Sequence, residues 1–202
     1  MGASDPRRVE FWFDFGSTYS HLAMMRIAPA AAALGVAIDW RPFLLGPVFR
    51  ALGWDGSPFL AQERKLDYVW RDAAREARKY GVPWRRPTAF PRRAVLPSRV
   101  ALCGAQAPWV GAFCRRMMLL NFAEDRDIDD ETVVLAALAE SGVDADAILV
   151  QAQGEANKLA LRRQTDEAMA RGVFGAPTFF ARGELFWGND RLDDALALAA
   201  AA

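Results

Sequence analysis

The chain switches twice between two hydrophobic rhythms. Val9 to Phe15 is nearly continuous in apolar, β-prone side chains, which predicts a strand buried on both faces. Gly16-Ser17-Thr18-Tyr19-Ser20 breaks that run. His21 to Leu34 then carries Ala, Met and Leu at helical spacing, with Gly35 placed to end the helix. Val36 to Arg41 alternates as a second strand, stopped by Pro42. Strand, turn, helix, strand is a crossover unit, and it favours a parallel pair.

The middle of the chain reads differently. From about Ser57 to about Gly172 helical patterns replace strands: Phe59 to Tyr80, Ser98 to Ala107, Pro108 to Phe122, Asp130 to Ser141, Asp144 to Gln153 and Glu155 to Arg171. Trp84 to Pro97 is rich in proline and predicts an extended loop. Strands return at Pro177 to Ala181 and Glu184 to Trp187, split by Arg182-Gly183 in the manner of a hairpin, and an Ala/Leu helix closes the chain. The pattern predicts one α/β domain interrupted by a helical insertion, with residues 8–45 and 173–202 forming the α/β part and 57–172 the insertion.

Composition narrows the function. The chain has 202 residues, enough for one domain with a large core. Lys+Arg and Asp+Glu are both 25, so the net charge is zero, which argues against a nucleic-acid binder. Two cysteines and one histidine cannot build a disulfide framework or a four-ligand zinc site. No apolar run is long enough for a membrane span. Met1 to Arg8 lacks a signal-peptide core, so a cytoplasmic location is the expectation.

Two stretches carry candidate chemistry. A turn that leaves a buried strand and opens a helix presents free backbone N–H groups and the positive end of the helix dipole, which stabilise an anion or a thiolate. Ser17 sits in that turn; from position alone it is either a helix cap or a residue facing a bound thiolate or carbonyl. Gly175-Ala176-Pro177-Thr178 precedes a short strand. A cis Ala176–Pro177 bond would leave the Ala176 backbone free to pair with a peptide-like ligand; a trans proline ending a loop is the plain alternative. His21, one turn beyond Ser17, reads as a packed helix-face histidine before it reads as a base. Cys103 and Cys114 read as buried, unreactive thiols. The aromatics read mainly as core, with Trp12, Trp40 and Trp187 as candidates to line an apolar pocket.

Together these features resemble the thioredoxin fold with a DsbA-type helical insertion, in which the front turn usually carries Cys-x-x-Cys. Here it reads Ser17-Thr18-Tyr19-Ser20, so dithiol exchange of the usual kind is ruled out. Five segments in order narrow the resemblance: Phe13 to Ser20, Arg64 to Asp72, Gly81 to Pro83, Gly172 to Phe179 and Trp187 to Arg191. They are similar to 2-hydroxychromene-2-carboxylate isomerases and the related kappa-class glutathione transferases, from about residue 9 to the end.

The resemblance implies glutathione as cofactor. It implies that Ser17 faces the glutathione sulfur and acts in catalysis, and that Lys65 reaches a glutathione carboxylate. It implies that Ala176, before cis-Pro177, pairs with the cysteinyl backbone, and that Trp187, Gly188, Asn189 and Asp190 hold the γ-glutamyl end. The substrate it implies is a small aromatic carboxylate, bound between residues 44–55 and 87–93, with Phe49, Arg50, Arg92 and Arg93 as contacts. In the resemblance, the isomerase of naphthalene degradation carries a lysine near position 49, where this chain has Phe49. A homodimer is implied as well. The expected function is glutathione-dependent cis–trans isomerisation of a hydroxychromene carboxylate or a related intermediate of aromatic degradation. A kappa-like transferase or peroxidase using the same site, and a non-catalytic protein that binds peptides at the proline edge, stay open.

Overall fold

The computed structural model describes residues 7–201. Most of the stretch Met1 to Arg8, read as free of an export signal, and residue Ala202 lie outside the described residues. The chain opens with β1 (Arg8–Phe13), α1 (Thr18–Leu34) and β2 (Ala37–Pro42). Helices α2 (Leu45–Ala51), α3 (Glu63–Tyr80), α4 (Val95–Cys103), α5 (Val110–Phe122), α6 (Glu131–Ala139), α7 (Ala145–Gln153) and α8 (Glu155–Ala170) follow. β3 (Thr178–Ala181), β4 (Glu184–Trp187), a 3-10 turn at Asn189–Arg191 and α9 (Leu192–Ala200) end the chain. The four strands form one sheet in the order β2-β1-β3-β4. β1 and β2 are parallel, with Phe11 opposite Trp40; β3 runs antiparallel to β1, and β4 antiparallel to β3.

β1 is apolar apart from the ion-paired Arg8 and Glu10 because it is covered on both sides. Val9, Phe11 and Phe13 pack with Met24 and Ile27 of α1, Phe113 and Met117 of α5, and Leu196 of α9. Phe11 stacks on Phe179 of the neighbouring strand at a centroid distance of 5.2 Å. Trp12 points the other way, into a smaller cluster with Phe43, Val48, Ala168 and Phe180. Pleating alone sends odd and even residues to opposite faces. Fully burying side chains of this size contributes about 1.5–3 kcal/mol each, which fixes the register of β1.

Several boundaries differ from the sequence reading, each for a local reason. α1 starts at Thr18 rather than His21, because the Ser17 hydroxyl accepts from the Ser20 N–H at 3.2 Å and caps a full extra turn. α2 lies in a stretch that reads as loop: Gly46 and Pro47 look like breakers, but they occupy the first turn, where a missing N–H costs no helical bond. α4 starts inside the expected proline-rich loop, with Pro97 again in the first turn and the Leu96 N–H donating to the Asp129 carboxylate at 2.7 Å. α3 starts at Glu63, four residues later than Phe59. The hairpin turn is as expected: Arg182 and Gly183 both have positive φ, the backbone that two-residue hairpins favour.

Trp12 and Trp40 do not line a pocket. Trp12 is fully buried under α8, and Trp40 packs against Phe11 and Phe13 on the other face. His21 is core: its Nε2 donates to the Pro83 carbonyl at 2.9 Å, and its ring lies on Phe122. Burial pushes it down to about 4, although the Pro83 bond works the other way. Cys114 is buried and Cys103 half-buried; desolvation raises both thiols, more strongly at Cys114. Among the described residues no helix is long and apolar enough to cross a membrane.

Candidate active site

A cavity of about 1240 Å³ opens where β1 ends, between the start of α1, the loop before β3, α2, α3 and the Asn189–Arg191 turn. Its floor is made by the residues just after β1. Asp14 is 8% exposed, and its two oxygens accept from the Gly16 and Leu45 N–H groups, each at 2.7 Å. One carboxyl thus ties the turn before α1 to the start of α2. Burial raises its pKa, and the two backbone donors oppose that shift. Sequence reasoning missed Asp14, although an acid directly after a largely apolar strand was a visible signal.

Ser17 is a helix cap, and it also reaches the proline loop, where its hydroxyl donates to the Ala176 carbonyl at 2.9 Å. The Ala176–Pro177 bond is cis, and so is Phe90–Pro91, which the sequence did not suggest. The turn at the helix N-terminus and the proline loop, 159 residues apart, therefore meet at one hydrogen bond. Ala176 lines the cavity; Pro177 stands behind it, with its carbonyl accepting from the Gly188 N–H at 3.0 Å.

That bond brings β4's end to the site. Trp187 is half exposed and packs on Phe174 at 4.9 Å between centroids. The indole lies so close to residue 175 that a Cβ there would sit 2.5 Å from its Nε1, so a larger residue would have to displace the ring. Gly188 has φ +111°, and the Asp190 carboxylate fills the space a Cβ would need. Asp190 is exposed at the cavity and pairs with Arg191 at 3.1 Å. Asn189 differs from its neighbours. It is buried, its Oδ1 accepts from Arg26 at 3.1 Å, and its Nδ2 donates to Glu76 at 3.3 Å. Its side chain holds the turn in place between α1 and α3.

α3 forms the opposite wall. Val69, Ala73 and Ala77 repeat every four residues and bury one face, which turns Lys65, Tyr68, Asp72 and Glu76 to the cavity. Lys65 is exposed in the first turn of α3, 5.6 Å from the centre of the Phe59 ring, and has no ion pair among the described residues. Tyr19 of α1 donates to Asp72 at 2.8 Å; burial first, then Asp72, raises the phenol pKa and keeps it protonated. Thr18, Tyr19, Asp72 and Glu76 were not anticipated as lining residues. Tyr19 and Asp72 meet across 53 residues of sequence, so no local spacing announces their pairing.

The four substrate candidates separate. Phe49 and Arg50 project from α2 and line the cavity, and Arg50 is exposed with no ion pair among the described residues. Arg92 also borders the cavity, but its guanidinium is buried and bound to Asp125 and to the Asn121 side chain. Arg93 pairs with Asp129 at 3.0 Å on the surface. Arg92 is thereby occupied within the protein, whereas Arg93 is largely exposed and also lines the cavity. Arg92 anchors the 87–93 loop, and the Thr88 N–H, followed by Arg92, brings the Asp125 carboxyl down to about 2. Phe90 and Pro91, in the same loop, line the cavity as well.

The fold and this site define a DSBA-like thioredoxin domain, and that family matches residues 8–199. A solved structure of a 2-hydroxychromene-2-carboxylate isomerase superposes with a TM-score of 0.84, at 29% identity over 92% of this chain and 90% of that one. The 2-hydroxychromene-2-carboxylate isomerase of Pseudomonas putida is 32% identical over 91% of this chain and 90% of its own length. Glutathione S-transferase kappa 2 of Caenorhabditis elegans is 27% identical over 84% of this chain and 78% of its own length. The chain belongs to the DsbA-like thioredoxin family and, within it, to the group of 2-hydroxychromene-2-carboxylate isomerases and kappa-class glutathione transferases.

Proposed function

We propose that this isomerase-family chain uses glutathione to interconvert the cis and trans forms of a small conjugated aromatic carboxylate of the hydroxychromene type. The observation that carries the reading is the meeting of Ser17, at a helix N-terminus, with the Ala176 edge before a cis proline, inside one large cavity. The donor set fits the tripeptide. Ala176 offers a backbone edge for its cysteinyl unit, Lys65 an unpaired cation for a carboxylate, and Asp190 with Asp72 and Glu76 an acidic wall for its ammonium.

Bound glutathione would supply a thiolate that adds reversibly to a conjugated carbon, permits rotation and leaves again without net redox change. Ser17 donates a hydrogen bond to the charged sulfur, and the start of α1 adds its dipole; both favour the thiolate over the thiol. In the protein alone that proton rests on the Ala176 carbonyl. Pairing of Ala176 with the cysteinyl N–H frees it for the sulfur. Leu44, Pro47, Phe49, Trp54 and Phe90 supply an apolar compartment beside this point that excludes water, and Arg50 stands at its edge for a carboxylate.

Calorimetry with glutathione and S-methyl-glutathione tests the reading. Binding that prefers the free thiol and weakens in Ser17→Ala supports it. No binding to the wild type would leave the proline edge as a site for peptides. Chromatography of the products separates isomerisation from a conjugate or glutathione disulfide.

A further inference from the structure

Building on the glutathione reading, we propose that Arg26 is a positioning residue: it holds the turn at 188–190 where the γ-glutamyl end of the cofactor binds. Arg26 lies outside the cavity, about two and a half turns along α1 from Ser17. Its side chain is 13% exposed. One guanidinium nitrogen donates to both the main-chain carbonyl and the side-chain Oδ1 of Asn189, at 3.3 and 3.1 Å. Another donates to Asp193 of α9 at 2.8 Å, and the guanidinium lies 3.6 Å from the centre of the Tyr80 ring at the end of α3.

The turn needs such an anchor. Gly188 has φ +111°, and the side chains of Asp190 and Arg191 are exposed. Asn189 is the buried residue of the turn, and it lines the cavity with Gly188 and Asp190. Its surroundings fix which way its amide faces. Arg26 can only donate, so it takes Oδ1; the Glu76 carboxylate accepts, so it takes Nδ2 at 3.3 Å. Arg26 thus holds the backbone and the side chain of Asn189 at once, and through them the place of the Asp190 carboxylate. A lysine, a point charge without a planar fork, could not bond both Asn189 acceptors and lie on Tyr80 together. Because Ser17 caps the same helix, α1 sets the distance between the sulfur site and this turn.

Arg26→Met keeps the apolar stem and removes the guanidinium; Arg26→Lys keeps the charge beside Tyr80 and Asp193 and removes the fork. Calorimetry gives the Kd for glutathione, and melts of the ligand-free protein show that each variant is folded. Isomerase assays at saturating glutathione give kcat and the KM of the hydroxychromene carboxylate. The Kd for glutathione is expected to rise about tenfold in both variants, with kcat and that KM unchanged. Added to Asn189→Ala, Arg26→Met raises the Kd little further, because Arg26 acts through Asn189. Arg26→Lys decides alone if Arg26→Met does not fold. A wild-type Kd in these variants would overturn the role whatever happens to Tm, since Arg26 would then be structural only. A KM for the aromatic substrate that rises by the same factor as the Kd would also overturn it, as a general loosening of the cavity. In both cases the wild type binds glutathione and the cofactor reading stands. A wild type that binds none removes that reading and the proposal with it.

Discussion

At the scale of single residues, similar side chains do different work, and the difference is testable. Ser17→Ala removes a helix cap and the bond to Ala176, so stability falls by about 1 kcal/mol while the bound thiol becomes harder to ionise. Arg50 and Arg92 form a second contrast. Arg92→Leu leaves Asp125 without its buried partner and lowers Tm clearly; Arg50→Leu leaves Tm near that of the wild type and raises KM for an anionic substrate. Thermal melts and steady-state kinetics on the pair check both halves. His21 sets a pH dependence. Its folded pKa of about 4 lies below the ordinary 6.5, so the unfolded chain binds the extra proton first as pH drops. Its contribution is fully present at neutral pH and is lost between about pH 6.5 and 4, roughly 3 kcal/mol in all. Asp14 has a raised pKa and takes up its proton more readily when folded, so it opposes part of that loss at the acid end. Urea unfolding at pH 7 and pH 4 is expected to show lower stability at pH 4, and His21→Phe to flatten the difference.

At the scale of elements, the sequence was legible where rhythm and turn chemistry agreed. The nearly continuous apolar run of β1, the alternation of β2 and the Arg182-Gly183 hairpin are all local signals, and all appear as read. α2 and the start of α4 were hidden because Gly46, Pro47 and Pro97 look like breakers, yet a first helical turn tolerates them. The site divides in the same way. Ser17, Lys65, Ala176, Trp187 and Asp190 could be placed from ordered motifs. The role of Arg92 could not, because its partner Asp125 lies 33 residues away. Asn189 lines the cavity as the motif suggests, but that its side chain also fastens the turn between α1 and α3 could not be read, because Arg26 and Glu76 lie far away in the sequence. The tight fit of Trp187 over Gly175 gives an element-scale prediction. Gly175→Ala pushes the indole off the proline loop, with a shift in tryptophan fluorescence and a KM for glutathione raised roughly tenfold.

At the scale of the whole molecule, the sheet, α1 and α9 form one packed body, and the cavity lies where its loops meet the helices inserted between β2 and β3. On the proposed function, glutathione held between α1, α3 and the loops around β3 and β4 would bind the folded state alone. At a hundred times Kd it is therefore expected to stabilise the protein by about 2.7 kcal/mol, visible as a rise in Tm. The central claim is that glutathione is a cofactor and not a consumed substrate. It is tested most directly by following hydroxychromene carboxylate isomerisation by absorbance with glutathione well below the substrate concentration, then titrating the remaining thiol. The expected result is many turnovers per glutathione, an unchanged thiol titre, and a much slower rate in Ser17→Ala. Product formation that stops as the thiol disappears, one for one, would contradict it and make the protein a transferase.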